Sequence, residues 1–185
     1  PDLVVFAVDE NAVVGKPLES LFLVVLVCSS RGNNCGDNPN HAEINKFRLG
    51  ESSNLIQKIL PVDSLNAVAW LSSKIKGIQP DIVMLLGEAS QRPVVSIEKI
   101  AINWMDFRIA DNSGNQILDR PVIEEGPAAF FSTLPVSLIH QHLKNAGIPS
   151  EISLSAGAYL CNQVFYSSLY YLSLEDHQCL CGFIH

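Results

Sequence analysis

Positive charge is scarce in this 185-residue chain, which has 12 lysines and arginines against 19 aspartates and glutamates. The formal net charge is −7 at neutral pH, and the sequence pI is about 5.1. Binding to nucleic acid or to an anionic membrane needs a basic surface that neutralises phosphate groups. The composition therefore argues against both partners and favours one that is small or uncharged.

Paired cysteines are also missing. The cysteines are odd in number and lack the C-x2-C spacing of a zinc site, so neither a disulfide framework nor a structural metal is expected. The five residues are Cys28, Cys35, Cys161, Cys179 and Cys181. Free thiols are typical of a reducing compartment, so we expect a cytoplasmic protein.

Long apolar runs are absent as well. The longest, Leu21 to Cys28, is far shorter than the roughly 20 residues that a membrane-spanning helix requires. No basic segment precedes an apolar stretch near Pro1, as a secretory signal would require. We therefore expect neither a membrane anchor nor a signal for secretion.

The apolar residues that are present, 48% of the chain, suit a single compact domain over residues 1–185. Their β-branched runs predict strands that are covered on both faces, which indicates an α/β sheet. The predicted strands are Leu3 to Val8, Leu21 to Cys28, Ile82 to Leu86, Glu151 to Ser155 and Gln178 to His185, with Val95 to Trp104 extended. The predicted helices are Ala42 to Phe47, Val68 to Ile78, Pro135 to Asn145, and a last one that runs to about Leu172; Arg31 to Asn40 reads as a loop.

Cys161 lies where a strand passes through a small-residue turn into the last of these helices. The peptide dipoles and free N–H groups at a helix N-terminus favour the thiolate, so we expect the pKa of Cys161 to fall below the free value of about 8.5. The same N–H groups could hold an oxyanion, which is worth about 3 kcal/mol per donor. An inert core cysteine is the alternative at such a position.

Several blocks of the sequence carry a resemblance to known proteins. The first is Ser155 to Asn162 (Ser-Ala-Gly-Ala-Tyr-Leu-Cys-Asn), and the others are Ile97 to Asn103, Asp106 to Asn112, Gly126 to Pro135, Ala146 to Pro149 and Gly182 to His185. Together these blocks resemble the pyroglutamyl peptidase I family of cysteine peptidases, also called pyrrolidone-carboxylate peptidases, and the first is similar to the nucleophile motif of the family. They follow one another in the family's order, and the resemblance covers roughly Pro80 to His185.

The resemblance implies a three-layer α/β/α sandwich with a mixed, largely parallel sheet, like that of the phosphorylase/hydrolase folds. It also implies a cysteine-peptidase triad of Cys161 as nucleophile, His185 as general base and acid, and Glu98 as the group that orients the imidazole. Arg108 matches a family arginine to which we give a supporting electrostatic role. The resemblance implies no metal or cofactor, and the implied partners are an N-terminally blocked peptide as substrate and further copies of the chain in a homo-oligomer.

The substrate pocket departs from the family pattern on two sides. Family members carry ring-binding aromatic residues in the loop that corresponds to Ser29 to Gly36, where this chain has none. Glu88 stands where the family has a glutamine, so a side chain that donates and accepts becomes one that only accepts. The other positions that match the family's pocket are Ile109, Tyr159 and Leu160.

Three functions therefore remain open at this stage. The first is release of an N-terminal pyroglutamyl residue, and the second is hydrolysis of a different small amide or lactam by the same triad. The third is a catalytically silent relative that serves as a binding or scaffold subunit. Residues 1–20 have no counterpart that we recognise, and family members continue beyond the residue that matches His185.

Overall fold

The computed structural model describes residues 22–29, 53–89 and 92–185. The predicted strand Leu3 to Val8, the loop Arg31 to Asn40 and the helix Ala42 to Phe47 lie outside these ranges. The described elements in chain order are β1 Phe22–Ser29, β2 Ser53–Leu60, α1 Asn66–Ile78, β3 Ile82–Gly87, β4 Val95–Glu98, β5 Ile100–Ile102, β6 Ala129–Phe131, α2 Val136–Asn145, β7 Ser150–Ser153, α3 Leu160–Ser173 and β8 Leu180–Ile184.

Six of these strands form one mixed sheet in the order β2-β1-β3-β8-β4-β7. The pairs β3–β8 and β4–β7 are parallel, whereas β1 pairs antiparallel with both β2 and β3, and β4 pairs antiparallel with β8. The strand β5 follows β4 directly in the chain and pairs with β6 in a separate antiparallel two-stranded sheet. The strand β8 therefore has a parallel neighbour on one side and an antiparallel neighbour on the other.

The first face of the sheet is covered by α1 and α3. Alternation along each strand sends Val83 and Leu85 of β3 to this face, and Phe183 of β8 joins them. They pack in one buried cluster with residues of both helices, including Leu71 and Phe165, which have no exposed surface. A strand this apolar needs cover on both faces, which explains its central place in the sheet.

The opposite face is covered by α2. Ile97 of β4 packs there with Val136 and Leu143 of the helix, and Ile184 contacts the same cluster. Helices thus lie on both sides of the sheet. The predicted α/β class and the three-layer α/β/α architecture are confirmed.

Two strands, β2 and β6, were not predicted. The sequence of β2, Ser-Asn-Leu-Ile-Gln-Lys-Ile-Leu, lacks a continuous apolar run, and β6 has only three residues. The stretch Val95 to Trp104, predicted as one extended segment, contains two strands that separate at Lys99 and join different sheets. The other described helices and strands match their predicted positions to within a few residues.

A buried carboxylate anchors the loop after β5 to the start of α1. Asp111 is 5% exposed, and its Oδ2 accepts hydrogen bonds from the backbone N and the Oγ of Ser64 at 2.9 and 2.8 Å. Its Oδ1 accepts from the backbone N of Ser113 and of Asn115 at 3.0 and 2.9 Å. Burial alone would raise the pKa of Asp111, but these hydrogen bonds outweigh it and hold the pKa well below 3.8.

Candidate active site

The N-terminus of α3 presents Cys161 as the second residue of the helix. Tyr159 at the N-cap has an extended backbone and makes no capping hydrogen bond with its side chain, and the first intrahelical bond runs from Gln163 N to Tyr159 O. The N–H groups of residues 160–162 thus have no partner within the helix. Gly157 supplies the turn before it, with a φ of +82° that other residues rarely adopt.

Asn162 fixes this end of the helix. Its side chain is buried, accepts a hydrogen bond from Ile102 N at 3.0 Å, and donates to the carbonyl oxygens of Ile102 and Trp104 at 2.9 and 3.0 Å. The backbone N of Asp106 also donates to Ala158 O at 2.9 Å. These bonds hold the turn that carries Cys161 against the segment that follows β5.

Glu98 and His185 form a buried pair on neighbouring strands. Glu98 Oε1 lies 2.7 Å from His185 Nδ1, and the two side chains are 0% and 3% exposed. The antiparallel register pairs Glu98 with Phe183, and two backbone hydrogen bonds between Ser96 and His185 extend the ladder by one more position. The sheet register therefore determines how these two side chains meet.

This contact sets the tautomer of His185. An ionised carboxylate only accepts hydrogen bonds, so Nδ1 must carry the hydrogen and Nε2 is left as the basic nitrogen. The imidazole also packs on the ring of Phe183, with centroids 4.5 Å apart. Burial alone would raise the pKa of Glu98, but the hydrogen bond and charge of His185 and the charge of Arg92 lower it overall, which keeps the carboxylate ionised.

Arg92 is part of the same cluster, although sequence reasoning missed it. Its Nη1 donates to Glu98 Oε1 at 2.6 Å and to Ser153 Oγ at 3.3 Å, and its Nη2 donates to Ser155 O at 2.8 Å. Two hydrogen-bond donors, Arg92 and His185, thus share Glu98 Oε1, while Oε2 is buried and has no hydrogen-bond partner among the described residues. The one sequence signal for Arg92 is its position in the connection after β3, five residues beyond Gly87.

The expectation of a lowered thiol pKa for Cys161 is wrong. Burial raises the pKa to about 12, and the negative charge of Glu98 adds to the rise. The residue's own backbone N–H and the charge of Arg92 oppose these effects without overcoming them. Among the described residues, no hydrogen bond joins the thiol to His185. The resting nucleophile is therefore a neutral thiol, and its proton must be taken up by a base at the moment of attack.

The expected substrate contacts are spread over the connections around this cluster. Glu88 is exposed and follows Gly87, whose position lies against the rings of Phe183 and His185. Tyr159 is half-buried, and its hydroxyl donates to Ala110 O at 3.3 Å.

Ile109, Arg108 and Leu160 differ widely in exposure. Ile109 is 45% exposed, whereas Leu160 is 1% exposed and packs in the core, so only its backbone is free to meet a ligand. Arg108 is exposed, and no hydrogen bond or ion pair of its side chain occurs in the part of the chain that the structure describes. The roles expected for these residues remain predictions, and the altered loop after Ser29 lies outside the described residues.

Neither a membrane-spanning helix nor a metal-binding cluster occurs in the described ranges. None of their helices is both long and apolar enough to cross a membrane. No three or more His, Cys, Asp or Glu side chains within these ranges are placed to hold a metal ion.

Comparison with known proteins gives consistent matches. The family model described as "Pyroglutamyl peptidase" matches residues 37–185. A pyrrolidone-carboxylate peptidase of Bacillus cereus (strain Q1) is 41% identical over 131 residues, which are 71% of this chain and 61% of that relative. The chain thus spans 61% of the length of this curated relative.

Solved structures agree with these matches. The pyrrolidone carboxyl peptidase of Pyrococcus furiosus is 44% identical with a TM-score of 0.66, over 68% of this chain and 61% of that one. The pyrrolidone carboxyl peptidase of Thermococcus litoralis is 41% identical with a TM-score of 0.66, over 68% of this chain and 57% of that one.

Proposed function

Because this chain belongs to the pyroglutamyl peptidase family, we propose that it is a cysteine exopeptidase that hydrolyses the amide bond after an N-terminal pyroglutamyl residue. The observation that carries the proposal is the buried Glu98–His185 pair, with 2.7 Å between Oε1 and Nδ1. It orients the imidazole so that Nε2, which is unprotonated in the neutral ring, can accept a proton. Such a base is what the protonated thiol of Cys161 requires.

The proposed reaction proceeds through an acyl-enzyme. Cys161 Sγ attacks the carbonyl carbon while its proton moves to His185 Nε2, and the N–H groups at the start of α3 hold the oxyanion. When the tetrahedral intermediate collapses, the C–N bond breaks and His185 returns the proton to the leaving amine. Water, deprotonated by His185, then cleaves the thioester, which releases pyroglutamate and restores the thiol.

Glu98 and the pocket residues have supporting roles in this proposal. Glu98 orients His185 and stabilises the imidazolium that forms during attack. Arg108 adds positive charge near the reacting carbonyl. The substrate contacts fall to Glu88, Ile109, Tyr159 and the backbone of Leu160.

The proposal predicts that the wild type releases a chromogenic amine from a pyroglutamyl amide under reducing conditions and that Cys161→Ala does not. Cys179→Ala is a matched control because burial raises the pKa of Cys179 to about 12 as well, while Cys179 lies just before β8, at the opposite end of that strand from His185. We expect Cys179→Ala to retain wild-type activity. Equal loss in both variants would contradict the role of Cys161.

A different small amide or lactam is the second candidate substrate. The exposed carboxylate of Glu88, one residue beyond the glycine that lies against His185, favours this alternative because the family has a neutral amide there. A wild type that leaves pyroglutamyl amides intact but hydrolyses another small amide or lactam, with Cys161→Ala inactive, would support it. A folded wild type that hydrolyses none of these compounds would instead support a catalytically silent binding protein.

The same proposal places the protein in the cytoplasm, with no nucleic acid or membrane as partner, as a single catalytic domain that associates with further copies of itself. Its support is the excess of acidic residues, the unpaired cysteines and the family resemblance. Light scattering at several protein concentrations measures the association directly.

A further inference from the structure

Arg92 contacts two parts of the site at once. Through Nη1 it donates to the fully buried Glu98, and through Nη2 to Ser155 O, while its own side chain is 26% exposed. The planar guanidinium suits such a fork, because its donors point in fixed directions. A single side chain therefore connects β4, which carries Glu98, with the turn that precedes α3.

That turn leads directly to the nucleophile. Ser155 Oγ accepts a hydrogen bond from Gly157 N at 3.2 Å, and the backbone at Ala158 is in turn held by Asp106 N. Cys161 follows within the first turn of α3. A shift of Arg92 would therefore be transmitted both to Glu98 and to the start of the helix.

The charge of Arg92 acts on the same two groups. It lowers the pKa of Glu98 and that of Cys161, in both cases against the effect of burial. The other titratable groups coupled to these two are His185 at the end of β8, which lowers the pKa of Glu98, and Tyr159 in the turn before α3, whose pKa the charge of Cys161 raises. Arg92 is the one permanent cation among them, in the part of the chain that the structure describes.

On this basis, and resting on the function proposed above, we propose that Arg92 is a positioning residue of the reaction. It holds the carboxylate of Glu98 on His185 Nδ1, ties it to the turn before Cys161, and supplies the positive charge that favours the thiolate. It does not touch the substrate. Its removal should therefore lower kcat and leave KM nearly unchanged.

The test compares Arg92→Met and Arg92→Lys with wild type in two assays. For Arg92→Met, kcat on a pyroglutamyl amide should fall by about 10²-fold, as expected when catalytic groups move out of alignment. The pH midpoint of Cys161 alkylation, followed by mass spectrometry of the Cys161 peptide, should rise by about half a pH unit because a nearby positive charge is lost. Arg92→Lys should restore the midpoint but only part of kcat, since an ammonium cannot form the fork.

Arg120→Met is the matched control, because Arg120 is exposed and its paired backbone groups are unaffected by the substitution. Circular dichroism and the unfolding temperature establish that each variant is folded. The proposal is overturned if Arg92→Met equals Arg120→Met in kcat and in alkylation midpoint. It is also overturned if Arg92→Lys shows the same raised midpoint as Arg92→Met.

Alkylation requires no substrate, so the two proposals can fail separately. If the wild type leaves pyroglutamyl amides intact while Arg92→Met still raises the midpoint, the substrate is wrong and the role of Arg92 stands. If the wild type hydrolyses them and Arg92→Met behaves as the control does, the substrate stands and the role of Arg92 is wrong.

Discussion

Glu98 Oε1 accepts hydrogen bonds from both His185 and Arg92, whereas Oε2, which is also buried, has no partner among the described residues. Removing a carboxylate from water is costly, and its ionised form persists because His185 and Arg92 compensate for the lost hydration. The same charge opposes ionisation of Cys161. Attack on a carbonyl must therefore be concerted with proton transfer to His185, or closely coupled to it.

Glu98→Gln tests whether the contact between Glu98 Oε1 and His185 Nδ1 orients the imidazole. A glutamine can donate from its amide to His185 Nδ1, which would favour the tautomer with hydrogen on Nε2 and remove the charge that stabilises the imidazolium. We expect kcat to fall by about 10²- to 10⁴-fold with little change in KM. Steady-state kinetics measure this, with Glu124→Gln, at an exposed carboxylate, as the control. Wild-type kcat in Glu98→Gln would mean that the carboxylate does not orient the base.

Motif and spacing predict Glu98, Cys161 and His185 as a triad, and the structure brings Glu98 and His185 together, while the catalytic roles of the three stay predictions. Sequence reasoning did not point to Arg92, whose partners Ser153 and Ser155 lie about sixty residues further along the chain and meet it only after folding. The predicted lowering of the Cys161 pKa was wrong for a related reason. A helix N-terminus is visible in a sequence, whereas the depth of burial that outweighs it is not.

The end of β3 leaves room for glycine alone. A Cβ at Gly87 would lie 2.7 and 3.0 Å from Cζ and Cε1 of Phe183, and 3.6 Å from Cδ2 of His185. Phe183 is fully buried and cannot easily move, because it also packs against Phe165. A side chain at the end of one strand would therefore displace the residues at the end of the next.

We expect Gly87→Ala to lower the free energy of unfolding by about 1–3 kcal/mol and to reduce kcat as His185 is displaced. Urea denaturation and steady-state kinetics measure the two effects. Gly77→Ala is the matched control, since nothing lies within 4 Å of a Cβ there and alanine favours a helix over glycine by up to about 1 kcal/mol. Unchanged stability and kcat in Gly87→Ala would show that this packing does not constrain the site.

Most elements were predictable where local pattern and tertiary environment agree. The apolar run of β3 and the periodic apolar positions of α1 are examples, because each predicts its own burial. The strand β2 was missed because its sequence mixes polar and apolar residues, and its pairing with β1 stabilises it nevertheless. The strand β6 was missed because its three residues form a strand only through their pairing with β5. Pairing partners distant in sequence are what local reasoning lacks.

The whole molecule should lose stability in acid partly through Asp111. Its folded pKa lies below the ordinary 3.8, so the ionised carboxylate stabilises the fold above that pH, and this contribution disappears as the pH falls through the folded value. Asp111→Asn should therefore unfold at a lower temperature than wild type at neutral pH. On acidification below about pH 3.8 its unfolding temperature should fall less steeply than that of wild type.

Thermal unfolding followed by circular dichroism across this pH range measures the difference. Asp119→Asn serves as the control, because Asp119 is exposed and its positive φ of 52° suits asparagine. Parallel decline of wild type and Asp111→Asn with falling pH would contradict the prediction. The outcome bears on the site too, since Asp111 holds the loop that carries Arg108 and Ile109.

The antiparallel register of β4 and β8 has a consequence for how such a protein can diversify. Glu98 lies on β4 and His185 at the end of β8, so a one-residue insertion in either strand would turn its side chain to the opposite face. Glu88 and Ile109, which are proposed to contact the substrate, lie instead in connections between strands, which tolerate exchange. Grafting loops from relatives onto this sheet is therefore a practical route to new substrate preferences with the proton-transfer apparatus unaltered.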